Sequence, residues 1–423
     1  MAPHSTKGRR RPQHAQGRTS QTPEQEQVRA VQAALAARDF AALQELAFSR
    51  FGFCSCELRR AVWQFLLGVN PEKGIDSSWR KLLADVDQDV LDGKEARVMQ
   101  ADVQRSVYTW DVHSGIRKSA RSQKREQLLD VMLAILRQHP GKLSYFQGFH
   151  DIALVFLEVG TPSQAFHMVE RLALFHLSDQ LCCPFDKGLI PLLGLLFCLL
   201  ERVDAAVATA LREADCAELH FAVPWVLTWF AHSLPRLHEQ VMRLFDCLLA
   251  SHPAMLLYFA AALLLHHRDT ILTTEREMPE MVSALQKLPL GSLDADEWAS
   301  KARQLAKQVP PEELLRRLPP AVRLALPSTS PLFHFPHPWM VSAGKASAEK
   351  DLSALAPIYR GGSSGLAVRR SYGGALLDNR SWGLLLVGGL FSSGFGLALR
   401  TLCLPGTLTG SLWRWLGPRK AKK

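Results

Sequence analysis

The amino-acid sequence predicts an all-α protein, and three observations support this fold class. From about residue 25 to residue 318, apolar residues recur at intervals of three and four, the spacing of one face of a helix. Prolines interrupt this pattern near the expected helix ends, and no segment alternates apolar and polar residues as a β-strand does. There is no glycine-rich phosphate loop and no repeat of fixed period. We therefore predict one multi-helix domain over residues 25–318.

The segment before this domain has a different composition. Residues 1–24 are rich in basic and polar side chains and carry almost no large apolar ones. Such a segment cannot bury enough apolar surface to offset the entropy that folding removes. We expect residues 1–24 to form a disordered basic arm.

Apolar stripes define the helices in the first half of the domain. The segment Glu57–Leu67 has one apolar face, with Trp63 at its flank or in the core, and residues 79–107 carry a second set of apolar positions. The segment Gln127–His139 has a strong stripe that a Pro-Gly pair ends. The segment Tyr108–Arg125, which lies between these two helical segments, is polar and basic, and we expect a loop there.

A Gln-Gly pair joins two apolar helices, the second of which is predicted over Phe149–Val159. Gly148 can adopt backbone angles that a side chain forbids, so the turn can hold Gln147 firmly. A neutral amide held in this way can orient a water molecule, because it both donates and accepts hydrogen bonds. A plain connector between helices is the alternative interpretation. We interpret the following His150 and Asp151 as a hydrogen-bonded structural pair at a helix start.

Asp102 and Arg105 stand three residues apart in the segment 79–107. On a helix, side chains at this spacing are neighbours and can form an ion pair. Taken alone, such a pair is a surface interaction worth about 0.2–1 kcal/mol.

The composition of the sequence changes after the helical domain. Residues 319–380 are rich in Pro, Gly and Ser, which predicts a linker. Residues 381–399 contain no charged side chain and are bounded by Arg380 and Arg400. A helix of this length spans about 28 Å, close to the hydrocarbon thickness of a bilayer. We predict a transmembrane helix over residues 381–399, with a buried core helix as the alternative.

Two further features concern this end of the chain. Gly389, Ser393 and Gly396 form a small-residue face on the predicted span, which indicates weak self-association through the anchor. The apolar and basic tail, residues 400–423, leaves two arrangements open, because basic residues flank the span on both sides. It either crosses the membrane or returns along its surface.

Composition narrows the function classes. The net charge of +10 favours negatively charged surroundings such as a membrane surface. Nucleic acid is the other candidate, but no stripe of Lys and Arg interleaved with aromatic residues is present, so we expect no nucleic-acid partner. The eight cysteines match no zinc spacing, and no secretory signal is present. We expect no metal site, and a domain that faces the cytosol.

Five short segments carry a further signal. They are Leu58-Arg59-x-x-Val62-Trp63, Met99-x-x-Asp102-x-x-Arg105, Tyr145-x-Gln147-Gly148, Phe221–Phe230 and Arg243–Leu249. In this order they resemble the motifs of the TBC (Tre-2/Bub2/Cdc16) domain, an all-helical module that activates GTP hydrolysis by Rab GTPases. The sequence departs from the family at Met99, where isoleucine is usual, and lacks the proline that usually follows the arginine motif.

The resemblance implies a function and a set of site residues. Arg105 would be the catalytic arginine finger and Gln147 the glutamine finger, with Asp102, Tyr145, Gly148 and Trp63 in supporting positions. The partner would be a GTP-bound Rab that carries the nucleotide and its magnesium, so the chain would need no cofactor of its own. It would be an enzyme activator rather than an enzyme.

The hydrophobic C-terminal segment adds to the resemblance. This layout is most similar to that of an endoplasmic-reticulum-anchored member of the family, which implies Rabs of the early secretory pathway as partners. Two other functions stay open. One is a membrane-tethered scaffold that binds Rabs without accelerating hydrolysis, and the other is a membrane-anchored helical carrier for a lipid or another apolar ligand.

Overall fold

The computed structural model describes residues 22–71, 77–84, 94–106, 118–234, 238–316 and 326–341, with the single residues 318, 320 and 323. All regular secondary structure within these residues is helical, which confirms the predicted all-α class. Residues 1–21 of the predicted arm, the linker beyond residue 341, the span 381–399 and the tail 400–423 lie outside this part of the chain. Residues 22–24, also assigned to the arm, form the cap and start of the first helix instead. No helix in the part that the structure describes is long and apolar enough to cross a membrane.

The α-helices form the body of the domain, and short 3-10 turns lie between some of them. In chain order the α-helices are α1 (Pro23–Ala36), α2 (Phe40–Phe48), α3 (Cys56–Leu66), α4 (Lys81–Ala84), α5 (Lys94–Arg105), α6 (Lys118–Gln138), α7 (Phe149–Val159), α8 (Pro162–Phe175), α9 (Ser178–Cys182), α10 (Phe185–Gly188), α11 (Ile190–Val203), α12 (Ala205–Glu213), α13 (Val223–Leu227), α14 (His238–Leu249), α15 (Met255–His266), α16 (Arg268–Thr273), α17 (Met278–Gln286), α18 (Ala295–Gln308), α19 (Pro311–Arg316) and α20 (Pro338–Val341).

The start of α1 shows why a helix begins where it does. Thr22 accepts a hydrogen bond from the backbone N–H of Gln25 at 3.3 Å, and the Gln25 side chain accepts one from the Thr22 N–H at 3.1 Å. This reciprocal capping satisfies two backbone donors that the first helical turn leaves without partners. Pro23, at the first helical position, has a fixed φ that suits the helix and lacks the N–H that would need a partner.

One almost entirely apolar helix, α15, lies at the centre of the core. Every residue from Met255 to Leu264 is buried, so the helix is enclosed on all sides rather than amphipathic. It packs chiefly on α18 and α11. The Trp298 indole of α18 donates to the Phe259 carbonyl at 2.8 Å, and the Tyr258 hydroxyl donates to the Val309 carbonyl at 2.6 Å. The buried polar atoms at this contact are therefore satisfied.

A buried carboxylate joins α3 to α14. Asp246 is fully buried and accepts hydrogen bonds from the Trp63 indole at 2.9 Å, the Arg59 Nε at 3.0 Å and the Phe53 N–H at 3.2 Å. Burial raises the pKa of Asp246, although the guanidinium groups of Arg59 and Arg243 oppose that rise. Removing one partner from such a buried charge destabilises a fold by about 3–5 kcal/mol.

The predicted loop Tyr108–Arg125 requires a correction. The structure describes α6 from Lys118, so the basic end of that segment is helical. Lys124 donates to the Leu157 carbonyl at 2.9 Å and pairs with Glu158 at 3.1 Å, and Arg125 donates to the Ser106 carbonyl at 3.2 Å. These contacts to other segments stabilise a helical turn that has no apolar stripe of its own.

The linker prediction for residues 319–380 is also wrong in one place. Residues 326–341, which we call the C-terminal strap, pack onto the helical body. The Trp339 indole donates to the Leu66 carbonyl at 2.9 Å, and the Ser330 hydroxyl donates to Asp179 at 2.5 Å. The Arg171 guanidinium lies 4.2 Å from the Trp339 ring centroid. Leu332, Trp339 and Met340 of the strap are buried, although they leave no periodic pattern.

Candidate functional site

Four of the residues predicted for the site meet at one buried carboxylate. Asp102, on α5, is 2% exposed. Its Oδ1 atom accepts from the Arg105 Nη2 at 2.5 Å and from the Gln147 Nε2 at 3.3 Å, while its Oδ2 atom accepts from the Tyr145 hydroxyl at 2.8 Å. A carboxylate removed from water needs such donors, because burying it without them is costly. Asp102 therefore fixes three side chains relative to one another.

Arg105 extends from this buried anchor into solvent. Its side chain is 69% exposed, whereas that of Asp102 is 1% exposed. A guanidinium has five N–H donors, and the contact with Asp102 engages one of its terminal nitrogens. The end of α5 is tied down by Arg125, which donates to the carbonyl of the next residue, Ser106, at 3.2 Å. The side chain is thus held at its base with donors left for a partner.

The Gln147–Gly148 turn has the geometry that the sequence predicts. Gly148 has a φ of +111°, a region that residues with side chains rarely adopt, and it directly precedes α7. A Cβ atom at this position would lie 2.6 Å from the Cγ2 of Thr228. The Oε1 atom of Gln147 is enclosed and has no hydrogen-bond partner among the described residues. The turn therefore fits tightly against Thr228 and presents an amide whose acceptor is uncommitted.

Tyr145 is locked as a hydrogen-bond donor. Burial, the nearby charge of Asp102 and the hydrogen bond that Tyr145 donates to it raise the pKa of the hydroxyl well above its ordinary value. Its backbone N–H donates to the carboxylate of Glu95, near the start of α5. The phenol therefore keeps its proton and holds the start of the turn against α5.

Three further polar residues extend this arrangement. The His150 Nδ1 lies 3.0 Å from the Tyr145 hydroxyl, and its Nε2 lies 3.3 Å from the Asp151 Oδ1. The other Asp151 oxygen pairs with the His232 Nδ1 at 2.8 Å. Burial pushes the pKa of Asp151 up, but the neighbouring His150 and His232 outweigh it and lower the pKa below its ordinary value.

Sequence reasoning found some of these residues and missed others. It described His150 and Asp151 as a structural pair, which agrees with their close contact. It missed His232, Thr228 and Glu95. His232 lies 81 positions from Asp151 in the chain, and no motif or periodic pattern connects the two. Contacts of this kind become visible only in three dimensions.

Trp63 does not belong to the cluster around Asp102. Its indole donates to Asp246, and its ring packs against Phe156 at a centroid distance of 5.3 Å. The support that it gives is therefore to the packing of α3 on the rest of the body. Among the described residues, no group of three or more His, Cys, Asp or Glu side chains is arranged to hold a metal ion.

Comparison with known proteins identifies the family of this chain. The family model of the Rab-GTPase-TBC domain matches residues 56–272, which include all the residues grouped around Asp102. The chain belongs to this family. Its TBC domain thus spans the helices from α3 to α16.

Relatives and solved structures are consistent with this assignment. The chain is 32% identical over 285 residues to TBC1 domain family member 20 of Homo sapiens, a match that covers 66% of each protein. It is 28% identical over 246 residues to the GTPase-activating protein gyp10 of Schizosaccharomyces pombe, covering 57% of this chain and 61% of that one. The chain thus spans just under two thirds of the length of these relatives.

A solved structure shares the fold. The crystal structure of the Ypt/Rab-GAP domain of Gyp1p superposes with a TM-score of 0.53 at 14% identity, covering 67% of this chain and 98% of that domain. At this level of identity the likeness concerns the fold alone.

Proposed function

We propose that this chain accelerates GTP hydrolysis by a Rab-family GTPase, with Arg105 and Gln147 supplied in trans to the nucleotide of the partner. The observation that carries the proposal is that both side chains donate to the same atom, Oδ1 of Asp102. Their nitrogen atoms are therefore close enough to act on one phosphate group. The family and the names of the relatives support the same class of activity.

Arg105 would stabilise the charge that develops as the phosphoryl group is transferred. Negative charge on the equatorial oxygens grows towards the transition state, and an arginine supplied by an activating protein stabilises it. A guanidinium suits this task because its donors form a rigid fork that matches phosphate oxygens. Holding Arg105 through Asp102 lowers the entropy that the exposed side chain must lose on binding.

Gln147 would align the attacking water. Its amide nitrogen is held by Asp102, and its Oε1 atom has no partner among the described residues. An amide can accept a hydrogen from water without taking up a proton, so it orients the nucleophile rather than acting as a base. The nucleotide and its magnesium would belong to the Rab, and the chain would act as an activator without a cofactor of its own.

The membrane attachment is part of the same proposal. Residues 381–399 would span a membrane as one helix, because nineteen successive residues carry no charge. Together with the family resemblance, this favours the endoplasmic reticulum, with Rabs of the early secretory pathway as partners and the TBC domain in the cytosol. Tethering would raise the local concentration of the activator around Rabs on the same membrane.

Two other functions suggested by the sequence have less support. A carrier for an apolar ligand was suggested by leucine-rich helices, but the side chains of α11 and α15 pack into the core of the domain. A scaffold that binds a Rab without catalysis would need no arginine and glutamine held at one carboxylate. The experiment below separates both from an activator.

Single-turnover GTP hydrolysis across a panel of Rabs tests the proposal. The purified full chain should accelerate hydrolysis by at least one Rab, and Arg105→Ala should reduce the acceleration by on the order of 10³-fold or more. Binding of the GTP-loaded Rab should change little, because the lost interaction forms mainly in the transition state. Gln147→Ala should also slow hydrolysis, because the water is no longer oriented.

A matched control lies on the same helix. Arg97 is an exposed arginine of α5 outside the cluster around Asp102, and Arg97→Ala should leave the acceleration unchanged. A scaffold would bind a Rab with no acceleration by the unmodified chain. A carrier would bind none of the Rabs, and either result would refute the activator.

A further inference from the structure

A continuous series of polar contacts connects Arg105 to a histidine at the surface. Each contact joins side-chain atoms between 2.5 and 3.3 Å apart. The series consists, in order, of Arg105, Asp102, Tyr145, His150, Asp151 and His232. We call it the Arg105–His232 relay. Its outer end, the His232 side chain, is 37% exposed.

The chemistry of the groups fixes the direction of each hydrogen bond in the relay. A carboxylate only accepts, so Tyr145 donates its single hydroxyl proton to Asp102. The phenol oxygen can then only accept from His150, which places a hydrogen on the His150 Nδ1. The Nε2 of His150 lies 3.3 Å from the Asp151 Oδ1, so the ring lies between the phenol and this carboxylate.

Asp151 depends on His232 to keep this orientation. One of its oxygens faces His150, and the other accepts from the His232 Nδ1 at 2.8 Å. With both oxygens engaged, the carboxylate plane is fixed. Without His232, one oxygen is free to rotate towards solvent, and the contact that holds the His150 ring is weakened.

The backbone that carries His232 is unusual. Trp229 and Phe230, which lie three and two residues before it, have φ values of +51° and +62°, a region that bulky residues seldom adopt. Packing compensates, because Phe230 is fully buried and its ring stacks on Trp225 at a centroid distance of 5.8 Å. The His232 N–H also donates to the Thr228 hydroxyl at 3.3 Å.

This turn lies against the catalytic turn. Thr228, whose hydroxyl accepts from His232, is the residue whose methyl group closes on Gly148. Unfavourable backbone angles that packing maintains are concentrated at functional sites. The strained turn thus presents His232 to Asp151 directly beside the Gln147–Gly148 turn.

We propose that His232 is a positioning residue for Arg105, acting through Asp151, His150, Tyr145 and Asp102. The inference rests on the proposed GTPase-activating function. His232 does not contact Arg105 in this arrangement. His232 holds Asp151, and Asp151 holds the His150 ring, which in turn positions the Tyr145 hydroxyl. That hydroxyl positions the Asp102 carboxylate, to which both Arg105 and Gln147 donate.

The first test separates positioning from binding. Full-chain His232→Ala and His232→Asn are compared with the unmodified protein in single-turnover hydrolysis, at increasing concentrations of the GTP-loaded Rab that the panel identifies. His232→Ala should lower the maximal rate roughly 3- to 30-fold, the range expected for a residue that acts through a network. The half-saturating Rab concentration should stay unchanged. His232→Asn should recover the rate, because its amide N–H occupies the place of the Nδ1 donor.

A matched control variant removes a similar pair elsewhere. His139 pairs with Glu170 at 2.8 Å, the same separation as His232 and Asp151, and belongs to no contact of the relay. His139→Ala should leave the maximal rate unchanged. Melting temperatures of all three variants report whether a lower rate comes from partial unfolding.

The second test needs no Rab. A fluorotyrosine placed at position 145 gives a 19F resonance that senses the hydrogen bonds of the hydroxyl. His232→Ala should shift this resonance, His232→Asn should bring it back towards the original position, and His139→Ala should not move it.

Each outcome decides the proposal. A lower maximal rate with a shifted resonance, both restored by asparagine, supports it. An unchanged rate in an active His232→Ala protein overturns it and leaves the proposed function intact, and so does a change confined to the half-saturating concentration, which would make His232 a direct Rab contact. If the unmodified chain accelerates no Rab, the proposed function fails and the positioning role falls with it, whatever the resonance shows.

Discussion

At the scale of single residues, the candidate site depends on one side chain that never reaches solvent. Asp102 is almost fully buried, yet it determines where the exposed Arg105 and the half-buried Gln147 lie. One contact of this anchor was predictable from sequence, because the spacing of Asp102 and Arg105 predicts a helical pair. The Gln-Gly pair separately predicts a tight turn. That the two meet follows from packing between α5 and the turn before α7, which no local pattern encodes.

Gly148 offers a test of how tightly the turn must fit. Gly148→Ala should lower the rate of Rab GTP hydrolysis on the order of 10- to 100-fold, because small misplacements of catalytic groups have effects of this size. The added Cβ would meet the Thr228 methyl group at 2.6 Å, and the φ of +111° is strained for alanine. Gln147 must then shift. Single-turnover kinetics measure the effect.

Gly141 provides the matched control for this substitution. It also has a positive φ, +70°, but a Cβ there meets nothing within 4 Å. Gly141→Ala therefore adds backbone strain without a clash and should leave the rate unchanged. Equal rates for the two variants would show that the fit against Thr228 does not matter.

At the scale of elements, the C-terminal strap is the least predictable part of the fold. Helices with a clear stripe were located well, and α7 begins and ends at the predicted residues, Phe149 and Val159. The strap has no stripe because its buried residues, such as Leu332 and Trp339, come from a three-residue 3-10 turn and a four-residue α-helix, each too short to form one. The basic first turns of α6 were missed for a related reason, since contacts with other segments rather than local pattern stabilise them.

The strap also covers histidines that cannot readily ionise. Burial lowers the pKa of His176 to about 3 and that of His252 to about 4, and it lowers the pKa of His337 well below its ordinary value. These groups are neutral in the folded chain and take up protons on unfolding below about pH 6.5. Their contribution to stability is complete above that pH and is lost as the pH falls towards 4 and 3.

The pKa shift of one carboxyl beneath the strap changes the stability with pH in the opposite direction. Burial raises the pKa of Asp179 to about 6, although the hydrogen bond from Ser330 opposes the rise. Its contribution is present below its unfolded pKa and is lost as the pH rises through 6. Around the strap, three histidines outnumber this one carboxyl, so the contribution of this region to the free energy of unfolding should decrease as the pH falls from 6.5 to 4.5.

Replacing one of these histidines should flatten that decrease. His176→Phe removes one proton from the uptake on unfolding, so the slope should fall by about 1.4 kcal/mol per pH unit. Both ring nitrogens of His176 lack a partner among the described residues, so phenylalanine removes no hydrogen bond shown there. Denaturant unfolding at several pH values measures the slope.

An exposed histidine serves as the control for the acid measurement. The side chain of His220 is 47% exposed, and His220→Phe should leave the slope unchanged. The slope is the quantity compared, because phenylalanine also alters packing. A slope that His176→Phe does not change would mean that this side chain ionises freely within the folded protein.

At the scale of the whole molecule, the class of the fold and most helices were predictable, because the dominant signal is burial with helical period. Contacts between segments that are distant in the sequence were not predictable. Asp246, which holds α3 against α14 through Trp63 and Arg59, gives no local signal of its three partners. The family resemblance implies a supporting place for Trp63 in the site, whereas its contacts lie in the core.

The proposed membrane span is tested on the full chain. In cells, the protein should stay with membranes during alkaline carbonate extraction, and deletion of residues 381–399 should release it, because these residues would supply the apolar surface in contact with lipid. Deletion of the nineteen preceding residues, 361–379, is the length-matched control and should not release it. Release of the intact protein would rule out a spanning anchor.

The strap decides where the folded unit can be cut. Reading the change in composition at residue 319 as a boundary would give a fragment that ends near residue 318. Such a fragment loses the indole that donates to the Leu66 carbonyl, the hydroxyl that donates to Asp179 and the ring on which Arg171 rests. An expressed fragment of the folded unit should therefore extend through Val341. The residues that complete its packing have the composition of a linker.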